Sequence, residues 1–523
     1  MHKKLNFIFY NIYIIKINMS ILSFMKDHGY IFETGLSGHC SYGPFGKEIK
    51  NNIENFFRQY FKSDGFDEFQ TPTVYRQEVW EKSGHWNKFK DYQIKNKDGK
   101  TFKLDQVIDQ YFKNYSNSDP SEHINQKDYI TPEGHLKIIK IIETINKENI
   151  KINLDPYMIP TSNEMIPIIE SSDTEWPYRQ LMMVSNSGGS SVGLRPETAT
   201  ATFVNYPQLL SYYNNQLTIK IFQIGTSFRN ELQTSNYILR SREFTQAEFQ
   251  VILGEKEKPE WLESHSDAML EMDKISVNLD VNNEPTIETV IGKMEFNNPI
   301  FKYYLALTYK SFVDIGLDPS KIRLHKHLEN EMAFYALDAY DIEVNLIGFD
   351  WTEVAGIHDR GSYDLDCHFP LTKKQIKKKQ TNPNIIEIAV GIDRLFYSMI
   401  DNLYQKKTIK EGKTMLNIPY HLAPIEIGIF PLLNKPVELV EIAQKLHQSL
   451  KKEFRTYYSK SGSIGTRYLK AAIKGIPYCL TIDHQTIEDQ TVTMRDRDSE
   501  KQERIHLDDI KEKLRTILFI CFR

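Results

Sequence analysis

The sequence predicts an α+β fold, a mostly antiparallel sheet core flanked by helices, with a separate α/β domain at the C-terminal end. Three patterns predict it. Between residues 65 and 400 the strand-like runs are many and short, with few crossover helices between them. A strongly amphipathic helix precedes them. After residue 421, strand-like and helix-like segments alternate, as they do in an α/β layer.

In order along the chain, GPFGKEIKNNIENFFRQYF (43–61) is the helix, with Ile49, Ile53, Phe56, Phe57 and Tyr60 on one stripe and charges opposite. GFDEFQTPTVYR (65–76) reads as a strand ended by Pro72. Residues 95–155 are polar, lysine-rich and weakly periodic, and read as an insertion. Residues 215–253 form a hairpin, and 255–300 a second, less regular insertion containing EWLESHSDAMLEM. YDIEVNLIGF and NIIEIAVGI are two further strands, separated by the lysine run KKQIKKK (373–379), a solvated loop. A break near 412–424 follows. The first, sheet-based part is expected over 20–415 and the terminal domain over 421–523. The latter holds IEIGIFPLL, a helix at 435–453, GTRYLKAAIKG, PYCLTID and QTVTMRDRD.

The chain has 523 residues, 40% hydrophobic and 26% charged, with a formal net charge of −4. That balance excludes non-specific coating of nucleic acid but allows a local basic groove. Cys40, Cys367, Cys479 and Cys521 are far apart and form no zinc-ligand spacing, so no structural zinc is expected. Residues 1–18 carry lysine and apolar residues without acid or arginine. They lack the pattern of a cleaved signal and are too short to span a bilayer well, so residues 1–19 are expected to be a disordered extension. The chain is expected in the cytoplasm and off the membrane, the alternative being a mitochondrial location if 1–18 act as a transit segment.

The stretch FRNELQTSNYILRSREF (228–244) carries three arginines and two glutamates. Strand alternation puts Gln223, Gly225, Ser227, Arg229 and Glu231 on one face of the hairpin, joined by Arg242, Phe244, Gln246, Glu248 and Gln250. Arginine suits planar, bidentate phosphate recognition, and a phenylalanine among the charges offers a base a stacking surface. There is no GxxxxGK[ST] and no GxGxxG after a strand, so arginines on a sheet must hold the phosphates of a nucleoside triphosphate.

FRNE and RSREF resemble the second signature motif of class II aminoacyl-tRNA synthetases. GLRPETATATF, IGTSFRNEL, REFTQAEF, HDRGSYDLDCH and MRDRDSEKQ, in that order, resemble the homodimeric glycyl-tRNA synthetases over about residues 28–512. The resemblance implies a glycine–tRNA ligase that uses ATP and Mg²⁺, with tRNA(Gly) as partner. It implies Arg229 and Arg394 as the catalytic residues, Arg229 on the α-phosphate and Arg394 on adenine or the γ-phosphate. Glu231 would take the adenine amino group, Phe244 would stack on adenine, and Arg242 and Arg240 would reach the phosphates. Asn230, Leu239, Ser241 and Glu243 complete the ATP segment of the hairpin. Glu353, through Mg²⁺, Val354, Gly391, Ile392 and Asp393 complete it elsewhere.

For glycine, the resemblance implies the carboxylates Glu197, Glu248 and Glu387. Phe244, Thr245, Gln246, Ala247, Ala389 and Gly391 would stand around them. Lys103 would stand where relatives carry an arginine after the SGH segment (83–85). The third motif, IIEIAVGIDRLFY (385–397), has Ala389 where relatives carry serine, and RPET continues Ala199-Thr200-Ala201 rather than Ala-Gln-Gly. The helix at 43–61 with TPTV resembles the first motif and implies a homodimer. Residues 421–523 resemble an anticodon-binding domain, with Arg495, Arg497, Lys470 and Lys474 as RNA contacts. The rivals are another enzyme of the same subclass, or a non-catalytic relative.

Overall fold

A computed structural model describes residues 21–519, apart from 97–98, 100, 116–131, 149–164, 168–177, 185–190, 233, 235–236, 282–285, 329–330, 348, 374–380 and 408–412. The expected extension at 1–19 and most of the lysine run lie outside the described residues.

The centre is a nine-stranded sheet. Its order is Ile287–Val290, Ser276–Val281, Ile322–Lys326, Asp338–Leu346, Asp350–Gly361, Asn384–Gly391, Glu243–Leu253, Thr218–Phe228 and Asp67–Glu68. All neighbours run antiparallel except Ser276–Val281 with Ile322–Lys326 and Thr218–Phe228 with Asp67–Glu68. Helices Pro44–Ser63, Pro299–Asp314 and Ile392–Leu403 cover one face and bury the main core with it. Phe61 stacks on Phe249 at 3.8 Å between ring centres, and Phe57 packs edge-on against Phe312.

Four readings change. Asp350–Gly361 is a central twelve-residue strand that the alternation around WTEVAGIHDRG did not reveal. Residues 255–300 are not an insertion, because Ser276–Val281 and Ile287–Val290 extend the sheet and Trp261, Val277 and Leu279 join its core. The strand expected at 65–76 is two pieces, Asp67–Glu68 in the large sheet and Val74–Arg76 in a separate three-stranded sheet. The region near 95–155 has its own core of Ile94, Phe102, Leu104, Val107, Ile108, Ile138, Ile142 and Ile145, closed by helices Leu104–Tyr115 and Pro132–Lys147.

The apolar stripe of Pro44–Ser63 is buried against the chain's own sheet, so it is not by itself a surface for a second copy. The C-terminal part is a five-stranded sheet in the order Thr456–Tyr458, Ile427–Pro431, Tyr478–Ile482, Thr491–Asp496 and Gln502–His506, with helices Val437–Leu450, Ile464–Ile473 and Ile510–Phe519.

Candidate active site

The hairpin register makes the floor of the site. Gln223 stands opposite Glu248, Gly225 opposite Gln246, and Ser227 opposite Phe244. Across the next pair, Gln246 faces Gly391, Glu248 faces Ala389 and Gln250 faces Glu387. Beyond it, Ala389 faces Gly356 and Glu387 faces His358. Period-two alternation therefore collects these side chains on the sheet face away from the main core. Two irregularities re-aim neighbours, as bulges beside sites do. One sits at Val354 and sets Glu353 opposite Glu343, and the other leaves Arg360 unpaired between Asp359 and Gly361. Glycine is required at 225, because a Cβ there would come within 2.2 Å of the Arg195 guanidinium that crosses it. Arg195 is buried and donates to Thr226 O, Thr71 and Gln223, so it pins the hairpin to the preceding loop.

Above this floor lies a cavity of about 240 Å³. At one end, Arg229 sits between the rings of Phe244 and Phe89, 5.3 and 5.5 Å from their centres. Its Nε donates to Pro196 O, and its two terminal nitrogens have no partner among the described residues. Arg394 pairs with Glu353 at 3.1 Å, and this holds the Glu353 carboxyl below its usual range. Burial and the charge of Glu353 push Asp341 up to about 6.

At the other end lie three buried carboxylates, Glu197, Glu248 and Glu387. Glu197 is held well below the usual range, against the effect of burial, by His85 and Arg360. His85 Nε2 is 3.4 Å from it, and Ser83 Oγ fixes His85 Nδ1 at 2.8 Å, so the SGH segment serves the site through its histidine. Glu248 accepts from both the N–H and the hydroxyl of Thr198, and burial and the Glu197 charge push it up to about 7. Glu387 has both oxygens on Arg360 Nη1, at 3.1 and 3.0 Å. Arg360 is fully buried, also holds Asp364, and stacks under Tyr335 at 3.6 Å.

The structure thus brings Arg229, Glu231, Leu239, Arg240, Ser241, Phe244, Thr245, Gln246, Glu353, Val354, Ala389, Gly391, Asp393 and Arg394 around one cavity with the three glutamates. Several expected residues are elsewhere. Lys103 is buried on the strand pair inside the insertion, opposite Gln93 and away from the cavity. Ala247 and Ile392 point into the main core, as alternation requires for 247. Glu243 is exposed beside His39. Asn230 bonds the backbone at Arg179 and Gln180. Arg242 donates its Nε to Glu231 O and its Nη1 to Ser37 O, and it does not line the cavity. Asp393 lines the cavity but its oxygens are taken by Lys50 at 2.6 Å, Tyr42 and the Thr245 N–H. Lys50, next to Ile49 on the long helix, is buried in this ion pair. Residues the sequence reading missed are His85, His327, Tyr335, Asp341, His358 and Arg360, of which His85 stands in the SGH segment, Asp341 in YDIEVNLIGF, and His358 and Arg360 in HDRGSYDLDCH.

In the terminal domain, Arg497 is not available to RNA. It is 4% exposed and donates to Gly475 O, Ile418 O and Asp498. Lys474 lies over the Phe45 ring, Arg495 pairs with Glu500, and Lys470 is exposed.

Comparison with known proteins identifies the family. Residues 183–403 match the model of the tRNA synthetase class II core domain (G, H, P, S and T), and residues 426–517 match the anticodon binding domain. A glycine–tRNA ligase of Thermococcus kodakarensis is 30% identical over 93% of this chain and 95% of that protein. The chain belongs to the glycine–tRNA ligase family. A family member from Methanocaldococcus jannaschii is 28% identical over 95% of this chain and 98% of its own length. The fold is that of solved synthetases. A prolyl-tRNA synthetase of Cryptosporidium parvum, complexed with halofuginone and AMPPNP, has TM-score 0.55 at 14% identity over 96% of this chain and 77% of that one. A structure titled as the RNA binding domain of the threonyl-tRNA synthetase of the same organism has TM-score 0.56 at 16% identity over 93% and 94%. No helix among the described residues is long and apolar enough to cross a membrane.

Proposed function

We propose that the chain activates glycine with ATP and transfers it to the 3′ end of tRNA(Gly). The observation that carries this reading is a single cavity with arginines and an aromatic ring at one end and three buried carboxylates at the other. The first end suits a triphosphate and a base, and the second a small substrate bearing an ammonium group. The glycine carboxylate attacks the α-phosphorus, a P–O bond forms, and pyrophosphate leaves. Two anions must meet, so charge neutralisation and alignment by Arg229 and Arg394 are what the reaction requires, and no base is needed. The terminal tRNA hydroxyl then attacks the acyl carbon and AMP leaves. Larger amino acids meet Tyr335 and the Ala389–Gly356 pair, and a steric wall excludes more strongly than the ~1–3 kcal/mol a roomy pocket gains from one methylene. Glycine-dependent exchange of pyrophosphate into ATP, run against all twenty amino acids, is the test; exchange with another amino acid, or with none, sinks the reading.

Mg²⁺ fits beside Glu353 and Asp341, two adjacent carboxylates of which Asp341 is pushed up by burial and then by the charge of Glu353. A bound divalent ion would supply further neutralisation of the phosphates. An ATP KM unchanged by titration of magnesium would count against it.

Glu248 gives this reading a pH signature. Its carboxyl, pushed up to about 7, is protonated below that pH, and an ammonium ligand favours the ionised form. The glycine KM is therefore expected to rise as pH falls below 7, by up to about tenfold per unit, with the ATP KM flat. Glu248→Gln should remove the slope; an unchanged slope in that variant would take Glu248 out of the ammonium site.

A homodimer is part of the proposal. Phe32, Leu36 and Val74 are among the exposed apolar side chains outside the cavity. Sedimentation at micromolar concentration should give twice the chain mass, and a monomer throughout would refute it. Cytoplasmic residence also belongs to the reading, and mitochondrial import of a fusion carrying residues 1–30 would overturn it.

A further inference from the structure

Beside the cavity the chain carries a cationic feature that adenylate chemistry does not use. Lys90–Asp91 pairs antiparallel with Tyr178–Arg179, which sets Lys90 directly opposite Arg179. Like charges opposite each other on a strand pair repel. Burial and Arg179 together lower the Lys90 ammonium from its usual range. Among the described residues neither cation has a carboxylate partner. The Arg179 guanidinium lies over the Trp86 ring at 3.5 Å. This cluster is continuous with the reaction site. The Gln180 N–H donates to Phe89 O at 3.2 Å, the Asn230 N–H donates to Gln180 O at 2.7 Å, and the Phe89 ring packs on Arg229.

Two facing cations with no carboxylate partner among the described residues suit an anion, and a guanidinium stacked on indole is a platform for a base. An unpaired RNA strand offers both at short spacing. We infer that Lys90, Arg179 and Trp86 hold the single-stranded 3′ end of the tRNA, the two cations on a backbone phosphate and the Arg179–Trp86 stack on a base. The terminal hydroxyl then enters the cavity past Phe89 and Arg229. The inference rests on the proposed aminoacylation, but its test is read by binding as well as by activity.

The test uses the full chain, an intact tRNA(Gly) transcript and one lacking its last four nucleotides. In Lys90→Gln/Arg179→Gln, glycine-dependent pyrophosphate exchange should stay native. The Kd and KM for intact tRNA should rise about tenfold, and the salt dependence of binding should lose about one unit of slope. Binding of the truncated transcript should be the same for native and variant. Trp86→Ala should weaken intact tRNA and spare the truncated one. Equal weakening of both transcripts, an unmoved Kd, or exchange falling in step with aminoacylation would overturn the assignment, the last because the pair would then merely brace Arg229. If the native chain shows no exchange, the activity reading fails separately, and the intact-against-truncated difference still decides this one.

Discussion

Arg229→Lys is expected to lower glycine-dependent adenylate formation at least ~100-fold while leaving thermal unfolding unchanged. Arg229 lines the cavity with terminal nitrogens that have no partner among the described residues: its Nε is fixed by Pro196 O and its plane is held between Phe244 and Phe89. Lysine keeps the charge but loses both the fork and the stacking. Because the side chain carries no buried ion pair, folding should not depend on it. Single-turnover adenylate formation separates chemistry from release. A near-native rate in Arg229→Lys, or in Arg229→Ala, would remove Arg229 from the phosphate site.

Arg360→Met should act through the opposite route. Arg360 holds Asp364 and Glu387 with no exposure of its side chain, and Glu197 and Glu248 lie nearby. Removing the cation strands buried carboxylates, which typically costs about 3–5 kcal/mol. The sign with pH follows. A carboxyl left without its cation has a folded pKa raised above the unfolded value. Stability is then lost as pH rises above the unfolded pKa, because ionisation favours the unfolded chain. Urea unfolding should therefore show a small deficit near pH 5 and the full deficit near pH 8. A deficit independent of pH would mean that Arg360 acts by packing on Tyr335 and Phe203 rather than by charge.

Some of this was legible in the chain and some was not, for reasons visible in particular residues. Period-two alternation in two long, regular strands was enough to place Gln223, Gly225 and Ser227 on one surface with Phe244, Gln246 and Glu248, and the register agrees. The same rule could not find Asp350–Gly361, because irregularities at Val354 and Arg360 break the alternation within it. It could not show that 255–300 extends the sheet, since Ser276–Val281 owes its place to a parallel neighbour more than forty residues later in sequence. Helical periodicity marked Ile49, Ile53, Phe56 and Phe57, but not that Lys50 is buried against Asp393.

By itself, the sequence determined the type of the regular elements, the two-part organisation and the sheet-borne arginines, and its resemblance to a family marked the carboxylates of RPET and QAEF. The former depend on local period and on residue chemistry, which are written into neighbouring positions. Only the tertiary structure decided which charges are free and which are spent. Arg229 lines the cavity with terminal nitrogens unpartnered among the described residues, whereas Arg497 and Asp393 are consumed by the fold. Glu387 is bound to Arg360, and His85 is brought to Glu197 from 112 positions away in the chain. A side chain's charge is local, but its partner is a matter of distance in space, and burial makes that partner decide whether the group holds the fold or meets a substrate.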